Sequence, residues 1–185
     1  LGSLELSPAE VAEMYLALAS DGVAMPLRAI RSVEDALGNR LNRYPLKLGA
    51  PVEPGAVQLV QFAMQSVMEE GTGKSAYQRL SRSLALAGKT GTTNDQRDSW
   101  FAGFSGTDLA VVWIGRDDNG ETPLTGGTGA LQVWTDIFSR LPTESLDIYA
   151  SPDIDYVWVD GATGLLSGEN CRGARLLPFT REQRP

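Results

Sequence analysis

An α+β domain, with helices packed on an antiparallel sheet, is what this sequence predicts. Two observations carry the prediction. Three stretches repeat apolar residues at helical spacing between recognisable caps, and two apolar runs face each other across a short Gly-containing turn. Their order, helix, strand pair, helix, antiparallel strands, helix, is that of helices covering one sheet rather than of alternating βα units.

The elements follow in chain order. Ser7-Pro8-Ala9-Glu10 reads as a helix start: Ser7 caps, Pro8 suits the first helical position and Glu10 completes a capping box. Val11, Met14, Tyr15 and Leu18 then recur on one face, and Asp21-Gly22 is the stop. Residues 27–33 read as a strand, and 37–44 as a hairpin turning at Gly38-Asn39. A second helix is expected from Pro54 to about Glu70, with Val57, Val60, Met64 and Val67 on its inner face and Gly71 ending it. Strands are expected over 84–92, 99–105 and 109–115, the last two paired across Gly106-Thr107-Asp108. Residues 117–127 are polar and rich in Gly and Thr, hence a loop. A last helix spans 130–141, with Leu131, Trp134, Phe138 and Leu141 inward. Short strands near 156–159 and 176–177, around a turn at 161–164, make residues 151–185 a small appendage on a main domain of residues 1–150.

Composition narrows the function. The 185 residues include 42% hydrophobic and 21% charged positions, enough for a packed core. A net charge of -7 argues against nucleic acid and against an anionic membrane surface. No apolar run approaches the ~20 residues that span a bilayer. The chain opens on Leu1 rather than Met, which suggests a piece of a longer protein. There is no histidine, which removes Ser-His-Asp and Cys-His catalysis from this chain, and with them every His-ligated metal site. Cys171, the single cysteine, cannot form an internal disulfide. Asp153 and Asp155 make no metal site, and no cofactor is expected.

Lys89-Thr90-Gly91-Thr92-Thr93 is the candidate site. On a strand, Lys89 and Gly91 share one face and Thr90 and Thr92 the other. Gly91 lets a ligand backbone approach the strand. The hydroxyls of Thr90 and Thr92 suit a carboxylate, and the Lys89 charge strengthens such bonds in a dry cleft. Together they fit a peptide ending in a free carboxylate; taken alone, the same residues also describe an ordinary surface strand. A phosphate-binding loop is excluded, because Gly88-Lys89 and Gly73-Lys74 have Ser83 and Met68 where that motif needs glycine.

Lys-Thr-Gly on a strand is one of three motifs of the serine penicillin-recognising enzymes. The run from Leu86 to Phe104 resembles the corresponding region of class A penicillin-binding proteins, the bifunctional peptidoglycan synthases. The resemblance extends over about residues 1 to 141. It includes the helix at Ser7-Pro8-Ala9-Glu10, the Gly71-Thr72-Gly73 turn, Val112-Trp113-Ile114-Gly115-Arg116-Asp117, and Gly126-Gly127-Thr128-Gly129 before the last helix. The tail looks most like the penicillin-binding protein 1b branch. The other two motifs, Ser-x-x-Lys and Ser-x-Asn, are absent: Tyr44, Gly71 and Leu86 stand three residues before the only lysines, Lys47, Lys74 and Lys89.

The resemblance implies a serine β-lactamase/transpeptidase-like fold, of which this chain is the C-terminal half. It implies a D,D-transpeptidase that cross-links peptidoglycan stem peptides ending in D-Ala-D-Ala through an acyl-enzyme and is inactivated by β-lactams. The isolated chain is then expected to be inactive, since the nucleophile lies upstream together with a glycosyltransferase domain and a membrane anchor. Lys89 and Thr92 become catalytic residues, with the Thr92 backbone N–H as half of an oxyanion hole. Thr90, Gly91, Thr92 and Thr93 become substrate-binding residues. The implied partners are stem peptide, β-lactams, the N-terminal half of the same protein and cell-wall synthesis regulators, at the periplasmic face of the bacterial cytoplasmic membrane. A β-lactamase or carboxypeptidase relative is one alternative, and a non-catalytic β-lactam-sensing or assembly module of the same fold is another. Asp95, Arg97 and Asp98 are read as orienting the loop rather than merely solvating it, Trp100, Phe101 and Trp113 as core rather than a ligand platform, and residues 125–129 either as a segment that could flex beside the cleft or as a plain glycine-rich turn.

Overall fold

The computed structural model describes residues 4–49 and 51–185. Helix α1 spans Pro8–Ala19, and its expected capping box is formed in both directions between Ser7 and Glu10. Helix α2 spans Pro54–Glu69 and helix α3 spans Ala130–Phe138. Strands β1 (Ser32–Glu34) and β2 (Arg40–Arg43) form one two-stranded sheet. The central sheet is antiparallel and comprises β3 (Ala87–Thr92), β4 (Ser99–Phe104) and β5 (Leu109–Ile114), in that order. Strands β6 (Ile154–Asp160) and β7 (Ala174–Thr180) form a third sheet.

The central sheet is covered on both faces. Phe101 and Val112 join Leu131, Trp134 and Phe138 of α3 and Met68 of α2 in one core. Ala87 and Phe104, on the other face, pack with Met64, Leu146, Tyr15 and Leu18. The strand period of two sorts these residues between α3 on one side and α1 on the other. Trp134 is fully buried, stacks on Phe138 at 3.7 Å between ring centres, and satisfies its indole N–H on the Gly103 carbonyl at 3.2 Å. A buried glutamine joins the helices: Gln61 of α2 donates to the Leu18 carbonyl at 2.7 Å. Gly88 lies where a Cβ would come within 2.5 Å of the Phe101 ring, so a larger residue would displace β3 from that core.

The C-terminal sheet packs on α2. Gln58 accepts the Ser151 backbone N–H at 2.7 Å, and Phe62 meets Tyr156 edge-on at 6.1 Å. Arg175 of β7 reaches both carboxylate oxygens of Glu70 at 2.8 and 2.9 Å.

Several expected boundaries move. Strand β1 holds only residues 32–34, and the hairpin starts there rather than at 37; its turn over residues 35–39 contains the expected Gly38-Asn39, with Gly38 at φ 83°, and is organised by Asp35. Its Oδ1 accepts the backbone N–H groups of Leu37 and Asn39 at 2.9 and 2.8 Å. Strand β3 begins at Ala87 rather than 84, because residues 81–84 close a turn through Leu84 N–H on the Ser81 carbonyl. A 3-10 turn at Lys74–Gln78 replaces a plain loop. On α2, Met68 takes the inner place expected for Val60, which is 41% exposed, and Gln58 and Gln61 share that face. Helix α3 stops at Phe138, leaving Leu141 at the surface, while Met14 of α1 points outward. Strands β6 and β7 each run seven residues, longer than the short stretches expected.

Candidate functional site

The site is built on the end of an edge strand. Strand β3 pairs with β4 alone among the described strands, in register Lys89↔Ala102, Thr90↔Phe101, Gly91↔Trp100 and Thr92↔Ser99. Thr90 and Thr92 therefore lie on the α3 face and Lys89 and Gly91 on the α1 face. Lys89 is exposed and folds back so that Nζ donates to the Thr90 carbonyl at 2.9 Å.

Each threonine hydroxyl on the α3 face is oriented by a partner. Gly126 N–H donates to Thr92 Oγ1 at 2.9 Å, so the Thr92 proton stays free to donate. The Thr90 and Thr72 hydroxyls lie 2.7 Å apart, which uses one proton of the pair and leaves the other. Thr72 is a site residue that the sequence reading passed over, although it stood in the Gly71-Thr72-Gly73 turn already singled out. Thr93 behaves differently. Its hydroxyl donates to Asp98 Oδ2 at 2.9 Å and accepts the Asp98 N–H at 2.8 Å, so it has no proton left for a ligand.

Residues 125–129, over the α3 face, are tied to the sheet by hydrogen bonds and close packing. Buried Ser99 donates to the Thr125 carbonyl at 2.8 Å and accepts the Ala130 N–H at 2.9 Å, tying the start of α3 to β4. Gly126 is buried so closely that a Cβ would stand 2.6 Å from the Trp100 carbonyl oxygen and 2.7 Å from that of Gly91. Only glycine allows this approach. Earlier in the same connection, the Arg116 side chain holds the Asp118 carboxyl below the usual carboxylate range, with the Gly120 N–H helping.

Beyond β3, the chain reverses through a turn in which Asp95 and Gln96 both take left-handed backbone angles, φ 57° and 53°. The turn is closed by Thr93 N–H on the Asp98 carbonyl at 3.2 Å and by the hydroxyl contacts of Thr93. Asp98 Oδ1 then accepts the Trp113 indole N–H from β5 at 2.8 Å. The loop role expected for Asp98 is therefore joined to a link across the sheet that no sequence spacing reveals.

On the α1 face a groove of about 560 Å³ opens between the first turn of α1 and the end of β3. Leu6, Val11, Gly91, Thr92, Trp100 and Trp113 line it. Of the three aromatics expected in the core, only Phe101 is buried. Trp100 and Trp113 sit 6.2 Å apart on the groove floor, and Trp113 is 41% exposed. Their place follows from register: both pair with positions on the Gly91 face. Among the described residues, no group of three or more His, Cys, Asp or Glu side chains could hold a metal ion. No helix there is long and apolar enough to cross a membrane.

Residues 1–130 match the family model described as the penicillin binding protein transpeptidase domain. The chain is 42% identical to penicillin-binding protein 1B of Haemophilus influenzae over 179 residues, covering 97% of this chain and 22% of that protein. It thus spans about a fifth of the length of this relative. Among solved structures, penicillin-binding protein 1A of Haemophilus influenzae superposes with a TM-score of 0.85 at 22% identity, covering 100% of this chain and 33% of that one. A D,D-transpeptidase domain of a peptidoglycan glycosyltransferase from Eggerthella lenta gives a TM-score of 0.56 at 26% identity, covering 70% of this chain and 30% of that one.

Proposed function

Because the chain belongs to the penicillin-binding protein transpeptidase family, we propose that it supplies the carboxylate-binding and oxyanion side of a serine D,D-transpeptidase site that cross-links peptidoglycan. The observation that carries this reading is the pair of oriented hydroxyls. Thr90 and Thr92 stand on one face of an edge strand; the Gly126 N–H leaves the Thr92 proton to donate, and the Thr90–Thr72 pair keeps one proton between its two hydroxyls. A peptide laid along β3 in an extended form would add a strand to the sheet. Its terminal carboxylate would take hydrogen bonds from Thr90 and Thr92, with the Lys89 ammonium supplying charge nearby.

In this reading the Thr92 backbone N–H donates to the oxygen that gains negative charge when the D-Ala-D-Ala carbonyl is attacked. Gly91 keeps the strand open to the acyl chain. Thr93 acts on the turn rather than on the substrate, given its commitment to Asp98. The nucleophile and its base belong to a part of the protein upstream of this chain, and a membrane anchor there places the site on the periplasmic side. β-Lactams occupy the same cleft as mimics of the peptide terminus. Residues 1–150 form part of the transpeptidase domain, with residues 151–185 as an appendage buttressing α2.

Incubating the longer protein that contains this chain with penicillin tests the proposal by denaturing intact-mass measurement. One drug mass added per protein is expected. An unmodified protein that still binds stem peptide would point instead to a sensing or assembly module.

A further inference from the structure

The side chain of Asp98 joins two strands at the point where the site ends, and nothing in carboxylate binding requires it. We propose that Asp98 is a positioning residue, which holds the strained β3–β4 turn so that the Thr92 N–H and hydroxyl stay aimed at the reacting peptide. The inference rests on the transpeptidase reading above.

Two consecutive left-handed residues, Asp95 and Gln96, make this turn unfavourable by itself, because neither is glycine. Tertiary bonds from three directions hold it. Asp98 grips Thr93 through its side chain and both its backbone groups. Its second carboxylate oxygen is bonded to the Trp113 indole on the neighbouring strand β5, so the head of β4 is tied to β3 on one side and to β5 on the other. The Gln96 carbonyl accepts both the N–H and the hydroxyl of Thr122, at 3.0 and 2.6 Å. Thr93 directly follows Thr92, so relaxation of the turn, whose Thr93 N–H is held by the Asp98 carbonyl, changes the backbone angles of Thr92 and with them the aim of its N–H. Positioning of this kind is where small displacements cost rate. The half-buried carboxylate also makes its bonds charge-assisted, which neither alanine nor a neutral amide replaces.

The test uses the longer protein and a fluorescent penicillin. Acylation rate constants are normalised to the titrated number of active sites, so that misfolded molecules drop out. Asp98→Ala and Thr93→Val are expected to slow acylation about tenfold per active site, while Thr93→Ser, which keeps the hydroxyl, stays within about twofold. The double variant is expected to be no slower than Asp98→Ala alone, because both break one linkage. The indole N–H resonance of Trp113, assigned by its loss in Trp113→Phe, is expected to shift in Asp98→Ala and to stay unchanged in Thr93→Ser. If Asp98→Ala or Thr93→Val acylates at the wild-type rate per active site, Asp98 is merely structural and the inference is overturned. An unacylated wild type overturns the transpeptidase reading and this inference with it. Thr93→Val and Thr93→Ser keep the test decisive should Asp98→Ala fail to fold.

Discussion

Two hairpin turns in this molecule are each organised by an aspartate, and they do opposite things. Asp35 spends its carboxylate inside its own turn: the N–H groups of Leu37 and Asn39 and the Asn39 side chain are its partners. Strands β1 and β2 beside it have no buried residue, and Leu37 at the tip is 88% exposed. Asp98 divides its carboxylate between its turn and a tryptophan on the neighbouring strand β5, on a sheet whose faces are covered by α1 and α3. One turn is a local solution that depends on nothing else. The other is embedded in tertiary structure, and it stands where the candidate chemistry is. A strained backbone persists only where its surroundings over-determine it, and the second turn meets that condition.

Breaking the sheet that supports the Asp98 turn should have the largest effect. Trp134→Ala removes a fully buried ring stacked on Phe138, and should cost about 3–5 kcal/mol in urea unfolding followed by tryptophan fluorescence. Gly126→Ala comes next. Its Cβ meets backbone rather than a flexible side chain, so the loop must lift from Gly91 and Trp100. A loss of about 1–3 kcal/mol is expected, together with slower acylation as the Thr92 hydroxyl loses its anchor. Thr92→Val keeps the shape and removes one charge-assisted donor. It should lower the efficiency of acylation roughly 10- to 100-fold and, because the buried Gly126 N–H loses its acceptor, cost about 1–3 kcal/mol of stability, read from penicillin kinetics per titrated active site beside a melting curve.

The Asp35 turn should respond least. Asp35→Ala should speed amide exchange at Leu37 and Asn39 and leave acylation at the wild-type rate. The pH dependence has a definite sign. The Asn39 side chain, followed by backbone N–H groups, holds the Asp35 carboxyl below its ordinary value. A carboxyl depressed in the folded state stabilises above its unfolded pKa, about 3.9, and loses that contribution as pH falls through the lower folded value. Protection of the Leu37 and Asn39 amides should therefore fall below about pH 4 in the wild type and show no such step in Asp35→Ala.

Much of the sheet was legible because local chemistry and tertiary packing agree there. The apolar run before Thr92, the alternation through Phe104, and the short turn at Gly106 fix β3, β4 and β5, with the β3 start shifted by three residues and the ends of β4 and β5 by one. Caps did the same for α1, where Ser7, Pro8 and Glu10 act as their types suggest. The turn of the first hairpin uses the Gly38-Asn39 signal together with Asp35, whose carboxylate bonds Asn39; the earlier first arm, residues 32–34, was not legible because that strand has no buried residue. The exposure of Trp113, the close packing of residues 125–129 and the Thr72–Thr90 contact were not legible. Each joins residues far apart in sequence: Trp113 meets Asp98, Gly126 meets Thr92, and Thr72 meets Thr90. Composition made residues 125–129 look loose, since glycine permits both flexibility and close approach. Only the packing against Gly91 and Trp100 decides between them.

The central claim is that this chain supplies the receiving side of an acyl-transfer site whose nucleophile lies outside it. Peptide mapping of the longer protein after reaction with penicillin tests that claim most directly. The account predicts a single acylated serine outside residues 1–185, with the modification weakened by Thr92→Val. An acyl group on a residue within 1–185, or stoichiometric labelling that Thr92→Val leaves untouched, would contradict it.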